Sequence, residues 1–126
     1  MVDIKKQIDY WINGAEDDII TAGLLIREKR NLHGLFFCYL VIEKAIKACY
    51  VKKIEDVAPR THNLIYLSEN IGLIFDEDTQ IFLGILMKYQ LQGRYPDYSP
   101  HLPDQKRVNE YFSKTKDLLQ WIKLKL

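Results

Sequence analysis

The feature that most constrains this chain is a run of apolar residues spaced three and four positions apart near its start. Apolar side chains recur at this spacing from Ile4 to Ile26. Because an α-helix has about 3.6 residues per turn, residues spaced in this way share one face. The spacing predicts an amphipathic helix over residues 3–29. The helix is expected to run through Gly14, although the pair Asn13–Gly14 is typical of turns, and the glycine would permit close packing.

Two further helices are predicted in the middle of the chain. The first covers residues 32–53, with Asn31 as its N-cap, and its broad apolar face indicates a central position in the fold. The second is short and runs to Ile71, with Thr61 as its N-cap and Gly72 as its stop.

Two more helices are predicted towards the end of the chain. Asp76 or Asp78 can cap a fourth helix that stops at Gly93, and Asp104 can cap the last helix. No convincing β-alternation occurs, and the links between helices are short. We therefore expect an all-α fold, an antiparallel up-down bundle of four long helices plus one short helix, in a single domain over residues 1–126.

Composition narrows the class of protein further. Hydrophobic residues make up 48% of the chain, which excludes a disordered polypeptide. No apolar run approaches the roughly 20 residues of a membrane span, and we see no signal peptide. Cys38 and Cys49 fall about 16 Å apart on one predicted helix, too far for a disulfide, and are expected to be reduced core residues of a cytoplasmic protein.

No sequence pattern calls for a metal or another cofactor, and none is expected. The net charge of +1 says nothing about partners. Basic residues gather after the first helix and along the last one, where they would hold phosphate or simply be solvated.

The segment between the fourth and fifth helices is the richest in chemical groups. It contains Arg94, Tyr95, Asp97 and His101 among three prolines, which exclude a regular helix. A rigid loop with such side chains is a better functional candidate than a core residue. Arg94 would hold phosphate or pair with Asp97, and Tyr95 would stack on a base or stay solvated.

Four motifs along the chain, in their order and spacing, resemble the HEPN domain family. They are Trp11 followed by Ala-Glu-x-Asp-Ile-x-x-Ala ending at Ala22; Gly34-Leu-Phe-Phe-Cys38 leading into Glu43-Lys-Ala-Ile-Lys-Ala48; Thr61-His-Asn-Leu64; and Arg94-Tyr-Pro-Asp97. The resemblance covers nearly the whole chain.

The resemblance implies a helical bundle that forms a homodimer, and in many members a toxin–antitoxin pairing with a minimal nucleotidyltransferase. It also implies that many members are RNases that need no metal, with an arginine and a histidine from each protomer in a cleft at the dimer interface. Four to six residues separate the two in that motif. Six residues separate Arg94 from His101, so these two match as catalytic residues.

Two hypotheses follow. In the first, a homodimer cleaves RNA with Arg94 and His101, since histidine moves protons near neutral pH and arginine stabilises charge on phosphate.

In the alternative, motivated by Tyr95 where RNase members usually carry a smaller polar residue, the protein is a non-catalytic module. It would bind a nucleotide or dock a nucleotidyltransferase. Arg94, Lys44 and Lys47 would hold phosphate or an acidic surface, and His62 would line a nucleotide pocket or merely pack at a helix start. Glu43 and the two lysines would otherwise form ion pairs at a helix surface or dimer interface.

Overall fold

The computed structural model describes residues 2–95 and 101–126, and for residues 91–93 it describes the main chain only. In this part of the chain five α-helices form, and there is no β-strand. The helices are α1 (Ile4–Arg27), α2 (Asn31–Ile54), α3 (Leu64–Asn70), α4 (Glu77–Arg94) and α5 (Gln105–Lys123). The predicted all-α fold with four long helices and one short helix is confirmed.

Side-chain contacts give the direction of each long helix. Asp18 of α1 contacts Lys44 of α2, and Trp11, which is earlier in α1, contacts Lys47, which is later in α2. The two helices therefore run antiparallel. The same antiparallel order holds between α4 and α5, where Phe82 contacts Tyr111 and Phe75, just before α4, contacts Trp121. Arg94 at the end of α4 lies over Phe36 near the start of α2, so α2 and α4 are antiparallel as well and the bundle is up-down.

Helix α2 lies at the centre of the bundle, as its broad apolar face predicts. It packs against each of the other four helices. More than half of its residues are buried, among them Leu35, Tyr39, Ile42 and Ile46, which are fully inaccessible to solvent. Side chains of α2 therefore meet the rest of the protein on nearly every side, and any polar group among them needs a partner within the chain.

Two helices begin differently from the prediction. Asn31 is the first residue of α2 and not its cap, since its buried side-chain oxygen accepts no hydrogen bond from the described residues, and its amide donates across the bundle to Gln105 Oε1 at 2.9 Å. Asn63, not Thr61, caps α3, since its side-chain oxygen accepts hydrogen bonds from two main-chain N–H groups, those of Ile65 and Tyr66.

The predictions for the other helix boundaries are mostly confirmed. Asp76 accepts from the Thr79 N–H at 2.8 Å and Asp104 accepts from the Arg107 N–H at 2.8 Å, so both act as N-caps. Gly72, with a φ of 65°, follows α3 as expected. The predicted stop at Gly93 is wrong, because α4 continues through it to Arg94.

Both cysteines are free and buried. Burial raises the pKa of the Cys38 thiol to about 12 and that of the Cys49 thiol to about 11. The two groups therefore pack as neutral thiols, as expected for core residues. Among the described helices, none combines the length and the apolar character that crossing a membrane requires.

Helices α1 and α2 approach each other closely at Gly34. A Cβ atom at this position would lie 2.5 Å from Ile26 Cγ1 and 3.5 Å from the main-chain oxygen of Ala22. Ile26 and Ala22 are both buried, so neither can move aside without disturbing the core. Hydrogen in place of a side chain at Gly34 is what allows the two helices to meet.

We expect Gly34→Ala to lower the free energy of unfolding by about 1–3 kcal/mol, because the added methyl group overpacks this contact. Gly84 is the matched control, since it is an exposed glycine inside α4 where a Cβ atom would meet no other atom within 4 Å. Gly84→Ala should raise stability by about 0.5–1 kcal/mol through helix propensity. Urea unfolding followed by circular dichroism measures both, and a neutral Gly34→Ala would contradict the close contact.

Candidate functional site

A row of aromatic and charged side chains follows one face of α2. Phe36, Tyr39, Glu43 and Lys47 are spaced by three, four and four residues, so they lie one above another along the helix. Each of them contacts a residue from another part of the fold or a neighbour in the row. We call these four residues the α2 row.

Glu43 is the centre of the row. Its Oε1 accepts hydrogen bonds from Tyr39 Oη at 2.6 Å and from His62 Nδ1 at 2.8 Å. Its Oε2 lies 3.7 Å from the ammonium of Lys47. Glu43 is only 4% exposed, and an isolated carboxylate would be strongly disfavoured there. The three partners replace the water that the carboxylate has lost.

The Tyr39 hydroxyl ties α2 to the segment before α3. Its oxygen is within hydrogen-bond distance of both Glu43 and the main-chain carbonyl of His62. Burial, followed by the adjacent Glu43 carboxylate, raises the pKa of Tyr39, so the hydroxyl keeps its proton and acts as a donor. Arg94 lies over Phe36, one turn before Tyr39 on α2, and its positive charge lowers the same pKa in part.

Lys47 closes the buried end of the row. It is 5% exposed, and its ammonium lies 5.1 Å from the centre of the Trp11 ring as well as beside Glu43. The expected pairing of Glu43 with Lys47 is confirmed, but the pair is buried within the chain and not at a helix surface. Lys47 thus stabilises Glu43 and does not present its charge to solvent.

Lys44 pairs with a carboxylate outside the row. Its ammonium lies 2.6 Å from Asp18 Oδ2 on α1. A Cβ at Gly14 would lie 3.1 Å from Lys44 Cδ, which confirms that this glycine permits close packing. Lys44 and Lys47 are therefore held by different carboxylates, although the sequence grouped both with His62 as binding residues.

Arg94 and His101 lie at one end of the bundle. The guanidinium carbon of Arg94 lies 5.3 Å from the centre of the Phe36 ring, near the start of α2. The hydrogen bond between Asn31 and Gln105 places the start of α5, just after His101, beside the start of α2 as well. Both Arg94 and His101 are exposed.

Two other residues predicted at this site follow Arg94 in the chain. The Tyr95 side chain is exposed next to Arg94. Asp97 lies outside the described residues, so its predicted pairing with Arg94 stays a prediction.

The same end of the bundle carries exposed positive charge. Apart from Arg94, its exposed cations come from the end of α1, the link to α2 and the first turn of α5: Arg27, Lys29, Arg30, Lys106 and Arg107. They outnumber the carboxylates of the same segments, which are Glu28, Asp104 and Glu110. This surface favours an anionic ligand.

Sequence reasoning did not assign a site role to Tyr39 or Glu43. The sequence does place both on one helix face, because Phe36, Tyr39, Glu43 and Lys47 are spaced three or four residues apart. This face mixes aromatic and charged side chains, which is unusual for a core helix. In the part of the chain that the structure describes, no cluster of three or more His, Cys, Asp or Glu side chains is arranged to hold a metal.

Comparison with known proteins agrees with the fold and with the motifs. The profile of the HEPN domain family matches residues 8–125, nearly the whole chain. The chain therefore belongs to the HEPN domain family, whose members commonly act on RNA or nucleotides. No curated protein and no solved structure matches it.

The buried Glu43–Lys47 pair gives a prediction about stability. We expect Lys47→Met to lower the free energy of unfolding by about 3–5 kcal/mol, because it leaves a buried carboxylate without its cation. Lys53→Met on the same helix is the control, since Lys53 is exposed, and it should change stability by less than about 0.5 kcal/mol. Equal unfolding midpoints in urea for the two variants would contradict the role assigned to Lys47.

Proposed function

We propose that this protein binds RNA through Arg94 and cleaves it as a homodimer without a metal, with His101 transferring the proton. The observation that carries the proposal is that Arg94 and His101 are both exposed at the basic end of the bundle, where α2 begins. A nucleic-acid backbone is an anion that suits a surface with several exposed cations.

The chemistry needs two functions that these residues supply. In this reaction the ribose 2′-oxygen loses its proton to a base and bonds to the adjacent phosphorus. The bond from phosphorus to the 5′-oxygen breaks, and that oxygen receives a proton. Histidine can accept the first proton and supply the second. Arginine can donate two hydrogen bonds to the phosphate oxygens as their charge grows.

The position of Arg94 over Phe36 supports this role. A guanidinium that lies over an aromatic face can still donate to oxygen atoms through the N–H groups that are not directed at the ring. Phe36 thereby limits the conformations of a long side chain, and the cost of ordering Arg94 on binding is reduced.

A second copy of this chain is the partner that fits the groove between α1 and α5. The groove has a volume of about 500 Å³ and includes Ile20 and Leu24, which are 63% and 52% exposed. Asp17 lies on the same exposed face of α1, and Lys116 of α5 lines the groove. In a two-fold dimer, acidic Asp17 of one protomer would face basic Lys116 of its partner around an apolar centre.

A nucleotidyltransferase that restrains the enzyme, as the family resemblance implies, belongs to the same proposal. Such a protein would act by covering the basic end of the bundle or by modifying a residue there. Co-expression with a neighbouring nucleotidyltransferase should then relieve growth inhibition caused by the native chain. Growth inhibition that persists unchanged would remove this part of the proposal and leave RNA cleavage untouched.

The first test is RNA cleavage in EDTA. The native protein should cleave a mixed RNA and leave 2′,3′-cyclic phosphate ends. Arg94→Ala should reduce the rate by about 10²–10³-fold and His101→Ala by about 10²–10⁴-fold. Arg60→Ala and Lys53→Ala are controls at exposed positions away from the start of α2 and should cleave at the native rate.

Each other result has a defined meaning. If the native protein binds RNA but does not cleave it, the non-catalytic hypothesis is favoured over the RNase hypothesis. Absence of both binding and cleavage would reject an RNA function. Full activity of Arg94→Ala and His101→Ala would show that neither residue is catalytic.

Dimer formation is tested at the groove. We expect Ile20→Asp to convert the dimer to a monomer in light scattering, because it places a charge in the apolar centre of the interface. Ile74→Asp is the control, since Ile74 is 84% exposed and lies outside the groove, and it should leave the dimer intact. A native protein that is monomeric at the concentrations used for cleavage would contradict a shared site.

A further inference from the structure

His62 is attached to α2 at two points. Its Nδ1 lies 2.8 Å from Glu43 Oε1, and its main-chain carbonyl is within hydrogen-bond distance of the Tyr39 hydroxyl. The start of α3 does not need these contacts, since Asn63 alone caps that helix. Glu43 is rigidly held, being buried and bonded to three groups, whereas the His62 side chain is 52% exposed. A buried carboxylate therefore holds an imidazole whose outer edge faces solvent.

The pairing determines which nitrogen of His62 carries the hydrogen. An ionised carboxylate has no hydrogen to donate, so Nδ1 must be the N–H that Glu43 accepts. The ammonium of Lys47 lies 3.7 Å from Glu43 Oε2, and the Tyr39 hydroxyl lies 2.6 Å from Glu43 Oε1. In the neutral imidazole, Nε2 then carries a lone pair at the exposed edge and is a hydrogen-bond acceptor.

Arg94 is a second group on the same face of α2 that can recognise a ligand. Its guanidinium carbon lies 5.3 Å from the centre of the Phe36 ring, and Phe36 lies one turn before Tyr39, whose hydroxyl contacts the main chain of His62. A nucleotide whose phosphate is held by Arg94 has only acceptors on that phosphate. The donors it can offer to Nε2 are ribose hydroxyls and the amino and ring N–H groups of the bases, and the 2′-hydroxyl is the donor present at every position of RNA and absent from DNA.

We infer that Glu43 is a positioning residue that presents Nε2 of His62 to a ribose 2′-hydroxyl of the RNA bound by Arg94. This selects RNA over DNA, and it rests on the proposed function for its ligand. The orientation of His62 by Glu43 does not depend on that function, so the two can be tested separately.

The orientation is tested by ¹⁵N NMR of the imidazole, with His62→Ala used to assign the signals. At alkaline pH the native protein should show the Nδ1–H tautomer of His62. Glu43→Gln should shift the population towards the Nε2–H tautomer, because the amide can donate to Nδ1. Tyr39→Phe is the control, which removes a neighbour of Glu43 but keeps the carboxylate, and it should leave the tautomer as in the native protein. A native protein with Nε2–H at His62 would overturn the inference.

The ligand is tested by fluorescence anisotropy with an RNA oligonucleotide and a DNA oligonucleotide of the same sequence. All proteins carry His101→Ala, so that the RNA stays intact. His62→Ala should weaken RNA binding by about threefold to tenfold, the value of one neutral hydrogen bond, and leave DNA binding unchanged. Glu43→Gln should cause a similar loss when His62 is present and none in the His62→Ala background.

Other outcomes separate the two proposals. Equal losses for RNA and DNA, or losses that add in the double variant, would show that Glu43 and His62 act only on structure and would overturn the inference. No RNA affinity in the parent protein would reject the proposed function and the ligand assigned here, even if the tautomer is as expected. Thermal unfolding checks each variant, and if Glu43→Gln does not fold, the tautomer of the native protein and the half-exposed His62→Ala decide the outcome.

Discussion

The contact of Gly34 with Ile26 and Ala22 lets α1 lie directly against α2, and the rest of the bundle is arranged around this pair. With α1 on one side, α2 receives α3, α4 and α5 on its other sides. Such a helix has almost no face left for water, so its polar side chains must find partners in the protein. The α2 row is the result of that requirement.

The row joins buried and exposed parts of the site. Lys47 and Trp11 lie at its buried end, and Arg94 over Phe36 lies at its exposed end. Buried Glu43 holds the half-exposed His62, and the partly buried Phe36 ring lies under the exposed Arg94. A functional side chain fixed in this way loses less entropy on binding a ligand than one on a free loop, which is why binding sites are built on rigid supports.

Much of the fold was predictable from the sequence because it depends on local patterns. The spacing of apolar residues predicted the five helices, and the side chains of Asp76 and Asp104 predicted where two of them begin. Asn31 and Thr61 were predicted as caps and are not, since the Asn31 side-chain oxygen accepts no hydrogen bond from the described residues and Asn63 reaches two N–H groups of α3. Gly93 did not end α4, since one glycine lowers helix stability without forbidding the helix.

The sequence by itself determined the helices, the central place of α2 and the membership of the HEPN domain family, because these follow from periodicity and from motifs read in order along the chain. It also named His62, Lys47, Arg94 and His101. Only the tertiary structure decided which of them meet. In the folded protein Lys47 is buried, Lys44 pairs with Asp18, and Glu43 lies between Tyr39 and His62. The physical reason is that residues distant in sequence become neighbours only through packing, and burial then decides which charges must be paired and which remain available to a ligand.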